Sequence, residues 1–233
     1  MSISENLTAI RGQIEAAAIA SGRKASDILL VAATKTQTAD TVRSAIAAGI
    51  TICGENRVQE LVEKQSQNAY EGASVHFIGH LQRNKVRQVV GKVDLIESVD
   101  SLVLLELIEK QASALGICQK ILLEVNIGRE AAKSGVLPED LDDLVAAISK
   151  FPHICLCGLM AIPPIASVPG ENRQFFRQMY QLFVDMKEKT YDNNSIRYLS
   201  MGMSGDFADA IAEGANMVRI GTGLFGPRMN RQI

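Results

Sequence analysis

Lys35 stands two residues beyond an apolar run, Ile28-Leu29-Leu30-Val31-Ala32-Ala33, with only Thr34 between. An amine at the end of such a strand is partly desolvated, which favours its neutral, nucleophilic form and supports imine formation with a carbonyl. A strand-end lysine is more often a solvated surface residue. An anion cradle facing it makes it a candidate Schiff-base residue. Two later stretches have the composition of such a cradle: Ser200-Met201-Gly202-Met203-Ser204-Gly205 and Arg219-Ile220-Gly221-Thr222-Gly223. Their glycines let backbone N–H groups come close to an anion, Ser200 and Thr222 add hydroxyl donors, and a helix N-terminus after each loop favours negative charge. A phosphate monoester suits that arrangement. The plainer reading of Gly202 and Gly205, a tight strand-to-helix turn, weakens because two such loops occur in succession.

The elements that must position these residues are short apolar runs alternating with longer segments of helical period, the pattern of a parallel α/β fold. Strands are predicted at 28–33, 50–53, 75–79, 93–97, 120–125, 155–161, 196–200 and 216–220. Eight such units in one chain of 233 residues favour a (β/α)8 TIM barrel, spanning 1–233 as a single domain, over an open doubly wound sheet. A helix over 4–21, with Leu7, Ile10, Ile14 and Ala17 at helical spacing, is expected as an extra N-terminal element packed across the barrel. Helix punctuation is regular: a capping box at Ser2 and Glu5, an N-cap at Asp100, a first-turn Pro138, and terminal glycines at 22, 49, 91, 116 and 214. In a barrel the residues after each strand converge on one mouth, with the seventh and eighth loops the common phosphate position. Lys35, Asn56, His80 and Asn126 follow strands one, two, three and five, and the glycine loops follow strands seven and eight.

A net charge of -2 and 5% aromatic residues supply neither a basic field nor stacking platforms, so no nucleic-acid partner is expected. The N-terminus has no basic segment followed by an apolar run, and the stretch 102–108 is broken by Glu106 and too short to span a bilayer. A cytoplasmic protein with no membrane partner is the expectation. The four cysteines are too sparse for a disulfide framework and read as thiols. His153, Cys155 and Cys157 suggest a metal briefly, but both cysteines fall on one face of a strand and further ligands are lacking, so core packing is preferred and no metal is expected. Residues 221–226 match the dinucleotide pattern G-x-G-x-x-G. That fingerprint needs a helix, a further strand and an acidic residue about 20 positions on, and this sequence reaches Ile233 without them.

Several long motifs in order carry a resemblance: AATKTQ (32–37), GENRVQE (54–60), HFIGHLQRNK (76–85), EVNI (124–127) with KSGV (133–136), GLMAIPP (158–164), SMGMSGDFADAI (200–211) and MVRIGTGLFGPR (217–228). With these the sequence resembles the pyridoxal phosphate homeostasis proteins, which are similar to the N-terminal barrel of alanine racemase, a fold type III enzyme. The resemblance implies pyridoxal 5′-phosphate held as a Schiff base on Lys35, phosphate contacts from Ser200, Gly221 and Thr222, Arg219 facing the pyridine nitrogen, and Asn56, His80 and Met201 as further pocket residues. It departs from the family at Cys53, where an aromatic is usual, and at Gly205, where a polar residue is common; both bear on pocket packing only. His80 is open between a catalytic or ring-stacking role and a structural one, and Glu55 and Arg57 between a site role and an ion pair at the rim. Lys133 is either a solvated loop lysine or a second acceptor for the cofactor.

The implied function is intracellular cofactor homeostasis by a monomer that supplies apo-enzymes, without catalysis of its own. An amino-acid racemase is the alternative, with a phosphate-binding barrel enzyme lacking the cofactor as a third possibility. Against the racemase stand the short tail after Gly226, where racemases of this fold add a second domain, and the lack of an evident acid or base opposite Lys35. A permanent charge at Arg219 beside the pyridine nitrogen also opposes its protonation and weakens the ring as an electron sink.

Overall fold

Alternate residues of a barrel strand point to the axis and to the surrounding helices, so each strand must carry two apolar faces. The computed structural model describes residues 2–189 and 194–226. Its strands are β1 (Leu29–Ala33), β2 (Ile52–Glu55), β3 (Ser74–Phe77), β4 (Leu95–Val99), β5 (Gln119–Val125), β6 (Ile154–Ala161), β7 (Asn194–Ser200) and β8 (Met217–Ile220). They form a closed parallel barrel in sequence order, with β1 returning to β8 so that Leu29 lies opposite Met217 and Ala32 opposite Ile220. Val31, Ala33, Ile78, Leu122, Met160 and Met217 fill the axis. Ala32, Phe77, Ile96, Leu123, Leu159 and Val218 face the outer layer.

The helices of that layer are α1 (Ile3–Ala20), α2 (Ala39–Ala47), α3 (Val58–Ser66), α4 (Leu102–Leu115), α5 (Leu141–Ile148), α6 (Arg173–Glu188), α7 (Phe207–Ala212) and α8 (Thr222–Phe225). Ser2 and Glu5 form the expected reciprocal capping box of α1, and the five terminal glycines all take positive φ. The extra helix differs from expectation in its place. It buries Leu7, Ile10, Ile14 and Ala18 and touches α7, α8 and α2, so it stands in the outer ring rather than across the barrel. Since α8 is a single turn, α1 fills the gap between β8 and β1. Among the described residues no helix is long and apolar enough to cross a membrane.

Three local expectations change. After β3 the chain makes a 3-10 segment, Arg83–Gln88, where an α-helix is the usual connector. The N-cap of α4 is Ser101, whose hydroxyl donates to Asp100 at 3.0 Å. Strands β2 and β4 begin and end two residues later than their apolar runs suggest. In β2 this draws Gly54 and Glu55 into the barrel wall: a Cβ on Gly54 would sit 2.8 Å from both Ile78 and Val31, so glycine lets the strand close on the axis. Glu55, on the opposite face, is fully buried against the outer layer. Cys53 shares that face, so its departure from the family's usual aromatic bears on strand–helix packing and not on the mouth.

Candidate functional site

The alternation of β1 carries Leu29, Val31 and Ala33 inward, and Lys35 follows in the turn just past the C-terminal end of the strand. Thr34 turns outward and is fully buried, donating its hydroxyl to Glu55 Oε1 at 2.5 Å. On the neighbouring strand β8, Arg219 lies opposite Val31, and Gly221 follows it to meet Ala33: a Cβ at 221 would lie 3.4 Å from that of Ala33. The bare backbone of Gly221 therefore borders the mouth beside the segment carrying Lys35. Gly202 holds φ +92 and would clash with Ala210 and Phe207 if it bore a side chain. Ser204 accepts the Gly223 N–H at 3.2 Å, so the seventh and eighth loops are tied together.

Below the mouth runs a buried polar chain that sequence reasoning missed. Arg219 donates to Ser200 Oγ at 2.5 Å and to the Ala161 carbonyl at 2.8 Å, and its Nη1 stands 3.9 Å from Glu97. Ser200 Oγ donates to Glu97 Oε2 at 2.6 Å, and the other Glu97 oxygen meets His76 Nδ1 at 2.7 Å. Burial pushes the Glu97 carboxyl up, yet His76, Arg219 and Ser200 together hold it below its ordinary range. Burial also lowers Arg219, against the pull of Glu97, Glu124 and Asp206. Glu124, on the inward face of β5 across the barrel from β1, is pushed up to about 7, first by burial and then by Asp100, with Arg219 opposing. The signal for Glu97, Glu124 and His76 is in the sequence: each is a titratable residue at an inward position of an apolar strand.

The remaining expected residues divide. Asn56 is at the mouth with its side-chain Oδ1 buried and unpartnered, its backbone packed on Gly79 so closely that a Cβ there would fall 2.2 Å from the Asn56 carbonyl oxygen. His80 is exposed on the rim, its Nδ1 2.9 Å from the Ser134 hydroxyl and 3.8 Å from Asp100. Thr222 is exposed at the start of α8. Ser200 has its hydroxyl engaged inside the barrel with Glu97 and Arg219. Met201 does not join the mouth: its side chain is fully buried in the strand–helix layer, because it lies one residue past the inward Ser200. No rim ion pair joins Glu55 to Arg57. Glu55 pairs instead with Lys64 at 2.6 Å in the outer layer, leaving Arg57 3.8 Å from Glu60. Lys133 is half-buried, donating to the Pro163 carbonyl at 3.0 Å and paired with Glu130, so it bridges two mouth loops. His153 engages Glu109 at 2.7 Å, while Cys155 and Cys157 line the axis, where burial first and then Cys155 push the Cys157 thiol up to about 12. A cavity of about 360 Å³ between α1 and the N-terminal ends of β1 and β2 lies away from this mouth.

Residues 5–229 match the family model described as the N-terminal domain of alanine racemase. The chain is 41% identical over 228 residues to the pyridoxal phosphate homeostasis protein of Aquifex aeolicus, covering 98% of this chain and 99% of that one. It belongs to the pyridoxal phosphate homeostasis protein family. The solved structure of PipY of Synechococcus elongatus with PLP bound superposes with a TM-score of 0.84 at 34% identity, covering 97% of this chain and 100% of that one. The alanine racemase of Clostridium difficile shares the fold, with a TM-score of 0.74 at 17% identity, and this chain covers 58% of its length.

Proposed function

We propose that this chain binds pyridoxal 5′-phosphate at the barrel mouth as a Schiff base on Lys35, holds it against loss in the cell, and supplies it to apo-enzymes. The observation that supports the reading is the register of β1 and β8, which sets the bare Gly221 backbone and the buried Arg219 beside the strand that leads into Lys35. The donor set fits the cofactor. The Gly202 and Gly221 backbone with the Thr222 hydroxyl suits a phosphate, Arg219 supplies a fixed cation for the pyridine nitrogen, and the orphaned Asn56 Oδ1 gains a partner when a donor enters. When bound, the cofactor supplies an aldehyde carbon for the amine. The protein's own residues hold Arg219 in place, with Glu97 as its counter-charge and Ser200 as a hydrogen-bond acceptor, beside the loops that would receive the phosphate. The PLP-bound relative and the family's name support the same ligand.

The test is a visible absorption spectrum of the purified protein with and without added pyridoxal 5′-phosphate. An imine band that disappears in Lys35→Ala while the fold is retained supports the reading, and a band that survives the substitution removes it. Delivery is tested by mixing loaded protein with an apo-enzyme and following recovered activity against an equal amount of free cofactor.

One observation favours a second reading, an amino-acid racemase. Glu124 is an acid near neutrality on the strand opposite β1, where sequence reasoning found no second proton carrier. Racemisation needs an acid or base on each face of the substrate carbon. The tyrosines among the described residues do not serve: Tyr70 is buried against Glu55 outside the barrel, Tyr180 is on α6, and Tyr198 lies two residues short of the end of β7. Tyr191 lies outside the described residues.

A further inference from the structure

Behind the barrel wall at Lys35 is a buried cluster of charges that the binding reading does not use. Thr36, the residue after Lys35, holds φ +66 although it is β-branched, a conformation that persists only when the surroundings impose it. Its N–H donates to Glu60 Oε2 at 2.6 Å. On the other side of Lys35, the Thr34 carbonyl accepts Lys64 Nζ at 2.7 Å and the Thr34 hydroxyl donates to Glu55. Lys64 joins both carboxylates, at 2.6 Å to Glu55 and 3.5 Å to Glu60, and the Tyr70 hydroxyl donates to Glu55 at 2.9 Å. Both peptide units flanking Lys35 are thus tied to one cluster on β2 and α3. Buried ion clusters of this kind are a poor source of net stability, because desolvation offsets their attraction.

We propose that Glu60, with Lys64 as a second anchor, is a positioning residue that holds Thr36 in its left-handed conformation and so aims the Lys35 amine into the mouth. The proposal rests on the Lys35 reading above. In linkage formation the neutral amine nitrogen adds to the aldehyde carbon, and the aldehyde oxygen leaves as water with both amine hydrogens. The rate follows the fraction of time the amine spends within reach of that carbon. Release Thr36, and the chain on either side of Lys35 relaxes to ordinary φ, turning the side chain off that line.

The experiment uses the full chain freed of cofactor, with pyridoxal 5′-phosphate added and the imine absorbance followed. Glu60→Ala slows linkage formation about tenfold, the scale of one strained backbone residue. Glu60→Gln, which keeps an oxygen for the Thr36 N–H, stays within about threefold of the wild type on the same scale. Adding Thr36→Gly to Glu60→Ala restores the rate, since glycine holds positive φ unaided. In a Lys35→Ala background, Glu60→Ala leaves non-covalent cofactor affinity unchanged, and amide exchange at Thr36 speeds up in Glu60→Ala alone. A wild-type rate in Glu60→Ala, equal losses in Gln and Ala, or a matching loss of non-covalent affinity overturns the proposal. Borohydride reduction of the wild type keeps the two readings apart. A label on another lysine defeats the Lys35 assignment and the positioning role with it, whereas a label on Lys35 with an unaffected Glu60→Ala rate defeats the positioning role alone.

Discussion

Glu124→Gln should make the protein more resistant to unfolding at neutral pH and leave it nearly unchanged in acid. Glu124 is almost wholly buried on the inward face of β5, and its carboxyl rises from an ordinary 4.5 to about 7, chiefly through burial and then through Asp100. A folded value above the unfolded one means that the native state binds the extra proton between the two. Stability from this group is therefore complete below pH 4.5 and is lost as pH rises toward 7. Every pH step of one between those two values costs about 1.4 kcal/mol, so the loss amounts to about 3 kcal/mol by pH 8. Glutamine has the shape of the protonated acid and does not titrate. The difference between variant and wild type then grows from near zero at about pH 4 to about 3 kcal/mol at about pH 8 in favour of the variant. Denaturant unfolding of the cofactor-free proteins at several pH values across that range measures this, and contributions common to both proteins cancel in the difference. A difference that is flat with pH, or that favours the wild type at the alkaline end, refutes the placement of an uncompensated carboxyl in the barrel.

Ser200→Ala leaves Glu97 and Arg219 each short of a partner, so it should destabilise even the cofactor-free protein by about 1.5–3 kcal/mol in denaturant unfolding. Thr222→Ala, at an exposed hydroxyl, should leave stability within about 0.5 kcal/mol while weakening retention of the phosphorylated cofactor, as seen by dialysis of loaded protein. Pyridoxal lacking its phosphate should bind poorly to the wild type, and equal affinities would remove the phosphate cradle. Loaded protein incubated with L-alanine in heavy water should show no enzymatic racemisation. A turnover of even about 1 s⁻¹, the lower end of ordinary enzyme rates, would promote the racemase reading with Glu124 as the second proton carrier.

The eight strands were legible because barrel strands are buried on both faces and leave unbroken apolar runs, and the glycine loops were legible because tight turns demand them. The position of α1 was not. A helix before the first strand can pack anywhere until the single turn of α8 leaves a gap beside it. The partners of Glu55 and Ser200 were hidden for a related reason. Glu55, after an apolar run, looks like the start of a loop, and only Lys64 and Tyr70 let it stay in the wall, while Ser200 at the end of its strand is held by Glu97 and Arg219 from distant strands. The side chain of Met201 lies in the strand–helix layer because its neighbour faces the axis and a period of two turns Met201 the other way. The chain Arg219–Ser200–Glu97–His76 links four strands, so no local window of sequence contains it.

On the reading proposed above, Lys35 is the residue that carries pyridoxal 5′-phosphate. Borohydride reduction of loaded protein fixes the linkage, and digestion followed by mass spectrometry of the peptides locates it. The expected adduct sits on the peptide containing Lys35 and is absent from Lys35→Ala at the same loading. An adduct found chiefly on Lys133 or any other lysine, or one that persists undiminished in Lys35→Ala, would contradict the assignment to Lys35.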